Sequence, residues 1–451
     1  MIRIYSISLG CPKNRVDTEK TLGAIREIRG GLRPVEAMEE ADLVFINTCA
    51  FIAPAVEESV RVILESASRL AGLPPDKRPL LAVAGCLVGR FGREELSPDL
   101  PEADLLLETG EMSSWPAQIS AALTDRLPPS PPAGIPQSPP SGFPPLRLLS
   151  TGPSYAWLKI SEGCRQACAF CAIPSIRGPL RSAPAGLLRD EAALLLRQGV
   201  REIILVAQDL TTWGADLEGT DGLPSLLRLL LPLPGLERLR LMYLYPSGLT
   251  RKLLLFLKNA GPPLVPYFDL PLQHAARGVL ARMGRPFSQD PFAVVDRVRN
   301  VFPQAALRTS LIVGFPGETE ADFDLLCRFV RQARFSHLGV FPFSPEEGTP
   351  AASLKGRVPA RIAAERRRIL MGIQAGISAE ILASFVGQRL SILVDRPQGE
   401  WPGLHLGRTW FQAPEVDGLT YVSGPGVVPG ALVEAEISES SGYDLVALSG
   451  P

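Results

Sequence analysis

Tyr155-Ala156-Trp157-Leu158-Lys159-Ile160-Ser161-Glu162-Gly163-Cys164-Arg165-Gln166-Ala167-Cys168-Ala169-Phe170-Cys171 opens as a strand-like apolar run and closes on three cysteines spaced Cys-x3-Cys-x2-Cys. Downstream, five more strand-like runs follow at 202–208, 239–245, 267–272, 307–313 and 338–343. Helical patterns separate them, among them 184–198, 290–301 and 320–334. Six successive strand–helix units, counting 155–161 as the first, predict a partial or open β/α barrel. Functional residues in such a barrel belong on the loops after the strands, and the three cysteines occupy the first of those loops. A long helical stretch at 359–385 closes the segment, and its arginines Arg361, Arg366, Arg367 and Arg368 read as a solvated face.

Upstream, apolar runs at 2–9, 43–47 and 80–84 alternate with helical patterns at 17–29 and 54–70. The first helix is predicted to open at Asp17 with Glu19 in its first turn, the second at Pro54 with Glu57 and Glu58. Strand–helix alternation of this kind argues for a doubly wound parallel sheet. Cys11, Cys49 and Cys86 each sit just beyond one of the three strands, separated by 38 and 37 residues. The carboxyl ends of parallel strands share one edge, where ligands bind, so these three thiols are expected to converge. Buried structural cysteines would more often lie inside the strands.

Between the two α/β segments, residues 128–145 hold nine prolines in eighteen positions. Such a run makes neither a helix nor a central strand, and 126–148 reads as an extended linker, a plain spacer rather than a proline-rich docking motif. The last ~70 residues carry short alternating runs at 390–394, 419–422 and 432–437 with Gly and Pro between them, which suits a small antiparallel barrel. Residues 386–451 hold eight acids and three arginines, a net charge of -5. The predicted domains are therefore 1–125, 149–380 and 381–451. That matches the roughly three domains allowed by 451 residues at about 150 each.

Composition removes several function classes. The 46 Lys+Arg against 47 Asp+Glu argue against a nucleic-acid coat or a polybasic membrane binder. The start, Met1-Ile2-Arg3-Ile4-Tyr5, lacks a signal-peptide layout. The leucine-rich run at 223–245 is interrupted by Arg228, Glu237, Arg238 and prolines, so it does not read as a membrane span. Seven cysteines are few for a disulfide-stapled fold, and a soluble, cytoplasmic protein without membrane partners is expected.

Cys164, Cys168 and Cys171 can hold three irons of a cubane cluster and leave the fourth without a protein ligand. Such an open position is what substrate chemistry requires of a metal site. A zinc knot is the alternative, but structural zinc takes four protein ligands, and His274, His337 and His405 are remote in sequence. Cys327, at helical spacing among Phe323, Leu326, Phe329 and Val330, reads as a buried structural thiol. Strand-end loops place Gln208 and Asp209 after the second barrel strand, and Gly314 to Glu318 after the fifth, as candidate cofactor-lining residues. A tight turn or helix cap is an equal reading for each. Arg177 and Arg181 could neutralise carboxylates, though surface arginines need no such purpose.

On these motifs the chain resembles the methylthiotransferase family of radical S-adenosylmethionine (SAM) enzymes. The resemblance rests on Ser8-Leu9-Gly10-Cys11-Pro12-Lys13-Asn14-Arg15-Val16-Asp17-Thr18-Glu19 and on Lys159 through Gly178. It extends to Leu270-Pro271-Leu272-Gln273-His274, Arg308 through Thr319, Phe343 through Pro350 and Ala413-Pro414-Glu415-Val416-Asp417-Gly418, the last in a TRAM-type barrel. Cys11-Pro12-Lys13-Asn14 and the Pro414–Gly418 run resemble the branch that modifies an aspartate β-carbon of small-subunit ribosomal protein S-twelve. The resemblance implies two 4Fe-4S clusters, one on Cys164, Cys168 and Cys171 that cleaves SAM, and an auxiliary one on Cys11, Cys49 and Cys86 that carries the transferred sulfur. It also implies two SAM molecules, one giving the methyl group and one the radical that abstracts hydrogen, and a flavodoxin- or ferredoxin-type reductant. The rival within the family is a tRNA adenosine methylthiotransferase. A tRNA-gripping barrel should be basic, and the acidic C-terminal segment counts against direct tRNA binding. A non-catalytic iron–sulfur or zinc scaffold is the rival from another class, and two open-site cysteine triads argue against it.

Overall fold

The computed structural model describes residues 1–124, 147–285 and 290–450. The linker predicted at 126–148 lies outside the described residues except for Arg147 and Leu148. Two compact units make up the chain: Met1–Ser150 with Glu162–Gln166 and Cys171–Arg181, and Thr151–Ser161 with Ala167–Phe170 and Ser182–Pro451.

In the first unit, β1 (Ile2–Ser8), β2 (Leu32–Pro34), β3 (Leu43–Thr48), β4 (Leu80–Gly85) and β5 (Leu105–Glu108) form a parallel sheet in the order β2-β1-β3-β4-β5. β3 and β4 are buried at every residue, which is why they read as unbroken apolar runs rather than alternating ones. Helices α1 (Pro12–Arg29) and α5 (Trp115–Thr124) cover one face through Leu22, Ile25, Trp115 and Ile119. Helices α2 (Ala53–Ala71), α3 (Cys86–Phe91) and α4 (Arg93–Asp99) cover the other through Ile63, Leu70, Leu87, Val88 and Leu96. The strand order reverses between β1 and β3, and a doubly wound sheet opens a crevice at that point, outside the carboxyl ends.

One helix start differs from the sequence pattern. α1 begins at Pro12, with Cys11 as its N-cap, five residues before Asp17. Proline suits that first position because its missing N–H would have no partner there anyway. Asp17 and Glu19 are consequently interior and buried rather than first-turn acids. Glu19 pairs with Arg147 and accepts from the Ser150 N–H at 2.9 Å and hydroxyl at 2.6 Å, which anchors the chain after the linker onto α1.

The second unit holds β6 (Tyr155–Lys159); two-residue strands β7 (Ser161–Glu162) and β8 (Arg181–Ser182) straddle the division between the units, and α6 (Ile173–Arg177) belongs to the first. Then come α7 (Ala185–Arg197), β9 (Glu202–Val206), α8 (Leu223–Leu230), β10 (Arg238–Leu241), α9 (Arg251–Ala260) and β11 (Tyr267–Gln273). α10 (Arg277–Arg282), α11 (Pro291–Val301), β12 (Ala306–Val313), α12 (Glu320–Ala333), β13 (His337–Pro342) and α13 (Ala360–Ala383) complete the series. β6-β9-β10 and β11-β12-β13 are parallel sheets, joined by a parallel bridge between Leu239 and Leu264 and by the Leu244 N–H to Asp269 O bond of 2.9 Å. Six strands thus follow one another in chain order, and no pairing joins β13 back to β6 among the described residues. This is the predicted open barrel. The leucine-rich run at 223–245 is divided between α8 and β10, and among the described residues no helix is long and apolar enough to cross a membrane.

Arg366 corrects the picture of a solvated arginine face on α13. It is buried, with Nη1 3.3 Å from Glu318 and Nη2 2.5 Å from Glu320. Cys327 is buried within α12, as its spacing predicts. After α13, β14 (Arg389–Pro397), β15 (His405–Arg408), β16 (Thr420–Ser423), β17 (Leu432–Ser441) and β18 (Asp444–Ser449) close a barrel in the order β14-β15-β16-β18-β17. It departs from the all-antiparallel expectation at one seam, since β16 and β18 run parallel.

Candidate functional site

The three N-terminal cysteines stand on three loops at one sheet edge. Cys11 caps α1 after β1, Cys49 follows β3, and Cys86 begins α3 directly after β4. Side chains that sequence reading passes over tie these loops together. Asn14 Nδ2 donates to Leu9 O at 2.9 Å and Thr48 O at 2.8 Å, joining the β1 loop to the β3 loop. Asn47 Nδ2 donates to Asn14 O at 2.8 Å, and the Thr48 hydroxyl donates to Ala84 O at 2.6 Å while accepting the Leu87 N–H at 3.2 Å. Ser59 on α2 brackets Cys49, accepting its N–H at 3.1 Å and donating to its carbonyl at 2.7 Å. Gly10, at φ 85°, lets the first loop pass: a Cβ there would fall 2.6 Å from the Cys49 sulfur.

Burial pushes the Cys49 thiol up to about 11, and the Cys86 and Cys11 sulfurs add to that rise. Burial raises Cys86 too, opposed by the Arg177 guanidinium. Arg177 is 4% exposed. Its Nη2 donates to Cys86 Sγ at 3.2 Å and to Asn14 Oδ1, and its Nη1 donates to Asp17 at 2.9 Å and Glu162 at 3.1 Å. Burial opposes its charge, but Cys86, Glu162, Asp17 and Cys11 outweigh burial and hold the guanidinium above its ordinary range. Among the described residues no three His, Cys, Asp or Glu side chains close on one point as a single ion requires.

The second cysteine motif is shared between the units: Cys164 and Cys171 belong to the first, Cys168 to the second. In the first, the Cys164 N–H donates to Gly178 O at 3.2 Å and the Gln166 N–H to Cys164 Sγ at 3.4 Å. In the second, Cys168 Sγ lies 3.9 Å from the Tyr245 hydroxyl, beyond the carboxyl end of β10. Burial pushes that phenol up, and the Arg285 guanidinium lies 4.6 Å from its ring centroid. Ala169 is pinned on both sides, its N–H donating to Met283 O and its carbonyl accepting the Ala351 N–H, each at 2.8 Å.

Gln208 is half-buried after β9, and the buried Asp209 caps the next turn by accepting the Thr211 N–H at 2.9 Å and hydroxyl at 2.7 Å. After β12, Gly314 takes φ 75°, and one Glu318 oxygen accepts the N–H groups of Gly314 and Phe315. The other Glu318 oxygen faces Arg366 at 3.3 Å and His274 at 3.7 Å. Both carboxylates thus shape the turns at the barrel's carboxyl edge. Arg181 is exposed. Of the residues the motifs leave out, Asn47 and Thr48 carried a usable signal: two polar residues end an otherwise apolar buried strand directly before Cys49.

Three family models match: Radical SAM superfamily over residues 158–330, Uncharacterized protein family UPF0004 over 3–108, and TRAM domain over 386–448. Among solved structures, the radical S-adenosylmethionine methyltransferase TsrM from Kitasatospora setae, with tryptophan substrate and a SAM analog bound, superposes with a TM-score of 0.54 at 14% identity, covering 90% of this chain and 78% of that one. That likeness concerns the fold. Ribosomal protein uS12 methylthiotransferase RimO of Oleidesulfovibrio alaskensis is 60% identical over 449 residues, the full length of both chains. The protein of the same name from Nitratidesulfovibrio vulgaris strain Hildenborough matches equally, 60% over 449 residues and the full length of both. Identity at that level from end to end, across all three matched domains, means that this chain belongs to the RimO family of ribosomal protein uS12 methylthiotransferases, which are radical SAM enzymes.

Proposed function

We propose that the chain adds a methylthio group to the β-carbon of one aspartate of ribosomal protein uS12. The carrying observation is that Cys11, Cys49 and Cys86 follow three neighbouring parallel strands at one sheet edge, with the Arg177 guanidinium 3.2 Å from the Cys86 sulfur, since a second thiol centre is what distinguishes sulfur insertion from SAM cleavage alone. Full-length identity to enzymes of that name supports the substrate. In this reading Cys11, Cys49 and Cys86 hold one 4Fe-4S cluster and Cys164, Cys168 and Cys171 the other. The donor sets fit: each offers three soft thiolates with no fourth Cys or His nearby in the sequence, which suits iron–sulfur binding with one open iron. Bound there, the two clusters supply the reductive cleavage of SAM and the sulfur to be transferred.

The chain's own residues hold the geometry for this. Asn14, Asn47 and Thr48 tie the loops that carry the three cysteines to one another. Tyr245 presents its hydroxyl to Cys168, and Arg285 covers that ring. SAM is assigned to the carboxyl edge of the barrel at Gln208, Asp209, Gly314 and Glu318, where Asp209 and Glu318 act through the turns they hold. Residues 1–125 form the auxiliary-cluster domain, 126–148 the linker, 149–380 the radical SAM domain and 381–451 the TRAM domain. A flavodoxin- or ferredoxin-type reductant supplies electrons, since the sequence carries no flavin or nicotinamide motif, and the cytoplasm is the site of action.

Iron and sulfide content with Mössbauer or EPR spectra, on anaerobically reconstituted protein, tests the cluster assignment. About eight irons falling to about four in the Cys164/Cys168/Cys171 triple alanine variant is expected. Zinc, or loss of all iron in that variant, overturns it. Mass spectrometry of uS12 and of tRNA after turnover tests the substrate, and a methylthio gain on tRNA adenosine with none on uS12 overturns that part.

A further inference from the structure

Arg177 follows Cys171 by six residues and ends α6, yet its guanidinium is turned to the other cysteine set, 3.2 Å from Cys86 Sγ. A buried arginine is satisfied by one good carboxylate, and this one has two: Asp17 and Glu162 both take Nη1. They hold the guanidinium edge-on, so that Nη2 is left facing Asn14 and the sulfur. The helix carrying it is fixed in turn, because the Thr109 hydroxyl donates to Ile176 O at 2.6 Å. A fixed cation with an N–H aimed at a ligating sulfur favours the more negative, reduced form of a cluster, and hydrogen bonds to sulfur are among the levers that set cluster potential.

We propose that Arg177 is the counter-charge of the Cys11–Cys49–Cys86 centre, a positioning residue that raises that centre's reduction potential through the Cys86 sulfur. The segment that supplies Cys171 to one cluster thereby also supplies the charge that tunes the other. This rests on the two-cluster reading above, and the test separates the two.

The parent for the test is the Cys164/Cys168/Cys171 triple alanine variant, in which only the auxiliary cluster remains. If that parent takes up no iron, the two-cluster reading falls, and this inference with it. If it takes up iron, Arg177→Lys and Arg177→Gln are compared with it, and so is the pair Arg177→Gln with Asp17→Asn, which removes the cation without stranding Asp17. Iron content, apo-protein thermal melts and the midpoint of the EPR-monitored redox titration are read. The expected result is a midpoint shifted to lower potential in both glutamine variants, with lysine recovering part of the shift. Retained iron with an unmoved midpoint overturns the proposal. Where the glutamine variants fail to take up iron, recovery by lysine with an unchanged apo melt supports the counter-charge. A melt lowered alike in all three variants marks Arg177 as an ordinary structural ion pair and also overturns it.

Discussion

Glu202→Gln removes one charge from the most completely buried ion network in the second unit. Glu202 opens β9 and is fully buried, accepting Arg240 Nε at 2.6 Å and Arg408 Nη1 at 2.7 Å. Arg238 adds to the field, and Arg408 is shared with Asp395 at 2.7 Å. Burial alone would raise this carboxyl, yet Arg240, Arg408 and Arg238 more than offset it and bring it from 4.5 down to about 2. At about 1.4 kcal/mol for each pH unit, that depression corresponds to about 3 kcal/mol of folding stability. Removing one partner of a buried pair costs about 3–5 kcal/mol on general grounds, so two separate routes agree. A depressed carboxyl contributes stability that is complete above its unfolded value and is lost as pH falls through the folded one. Wild type should therefore lose this contribution between pH 4.5 and about 2. In urea titrations followed by circular dichroism, the variant should show a lower midpoint at pH 7 with an unchanged slope, and a flatter stability profile across that acid window. A variant within about 1 kcal/mol of wild type with the same acid slope would refute the argument, for it would mean that Arg240 and Arg408 do not depend on Glu202.

Asn14→Ala removes both Nδ2 bonds between the β1 and β3 loops, so each carbonyl loses a partner at about 1–3 kcal/mol. Iron uptake by the Cys164/Cys168/Cys171 triple alanine background should fall with it, measured as iron per chain. Tyr245→Phe deletes the hydroxyl beside Cys168 and leaves the ring under Arg285; it should keep iron content while altering the EPR signal of the SAM-cleaving cluster, and an identical spectrum would count against the contact. Cys327→Ala should cost about 1 kcal/mol by thermal melt and leave iron content unchanged, as expected of a packing thiol.

What the sequence showed and what it hid differ by range along the chain. The strands at 155–159 and 202–206 were legible because buried parallel strands are compact, mostly apolar runs, and 306–313 because its buried residues recur with a strand's period of two. The short β15 was not, since His405, Gly407 and Arg408 break the run: Gly407 is required where a Cβ would strike the β14 backbone, and Arg408 is buried only because Glu202 lies 206 positions away to receive it. Arg366 reads as solvated for the same reason, its partner Glu318 being 48 positions distant. The six cysteines proposed as cluster ligands stood out because their spacing is local in one set and strand-linked in the other. Arg177 stood out only as a possible partner for carboxylates, which Asp17 and Glu162 bear out; its approach to Cys86 was hidden, because that sulfur lies 91 positions away. Charged residues declare their partners only in three dimensions.

That lesson bears on the acidic C-terminal segment, whose net charge on sequence alone counts against direct tRNA binding. Part of its net -5 faces inward. Asp395 is taken by Arg408 and by the Ser154 hydroxyl at 2.6 Å. Asp417 meets Arg308 at 3.3 Å and the Tyr267 hydroxyl at 2.7 Å, and Tyr155 donates to Glu415 at 2.6 Å. Tyr155, Glu202, Tyr267 and His337 open their strands, and Arg238, Arg240 and Arg308 lie within three residues of a strand start. The amino-terminal edge of the open barrel is therefore where the C-terminal barrel is bolted on. The acids that remain for a partner are chiefly Glu434, Glu436 and Glu439, exposed along β17, and Arg389 stands opposite Glu436 across the β14 pairing. The charge available for recognition is thus smaller than the segment total.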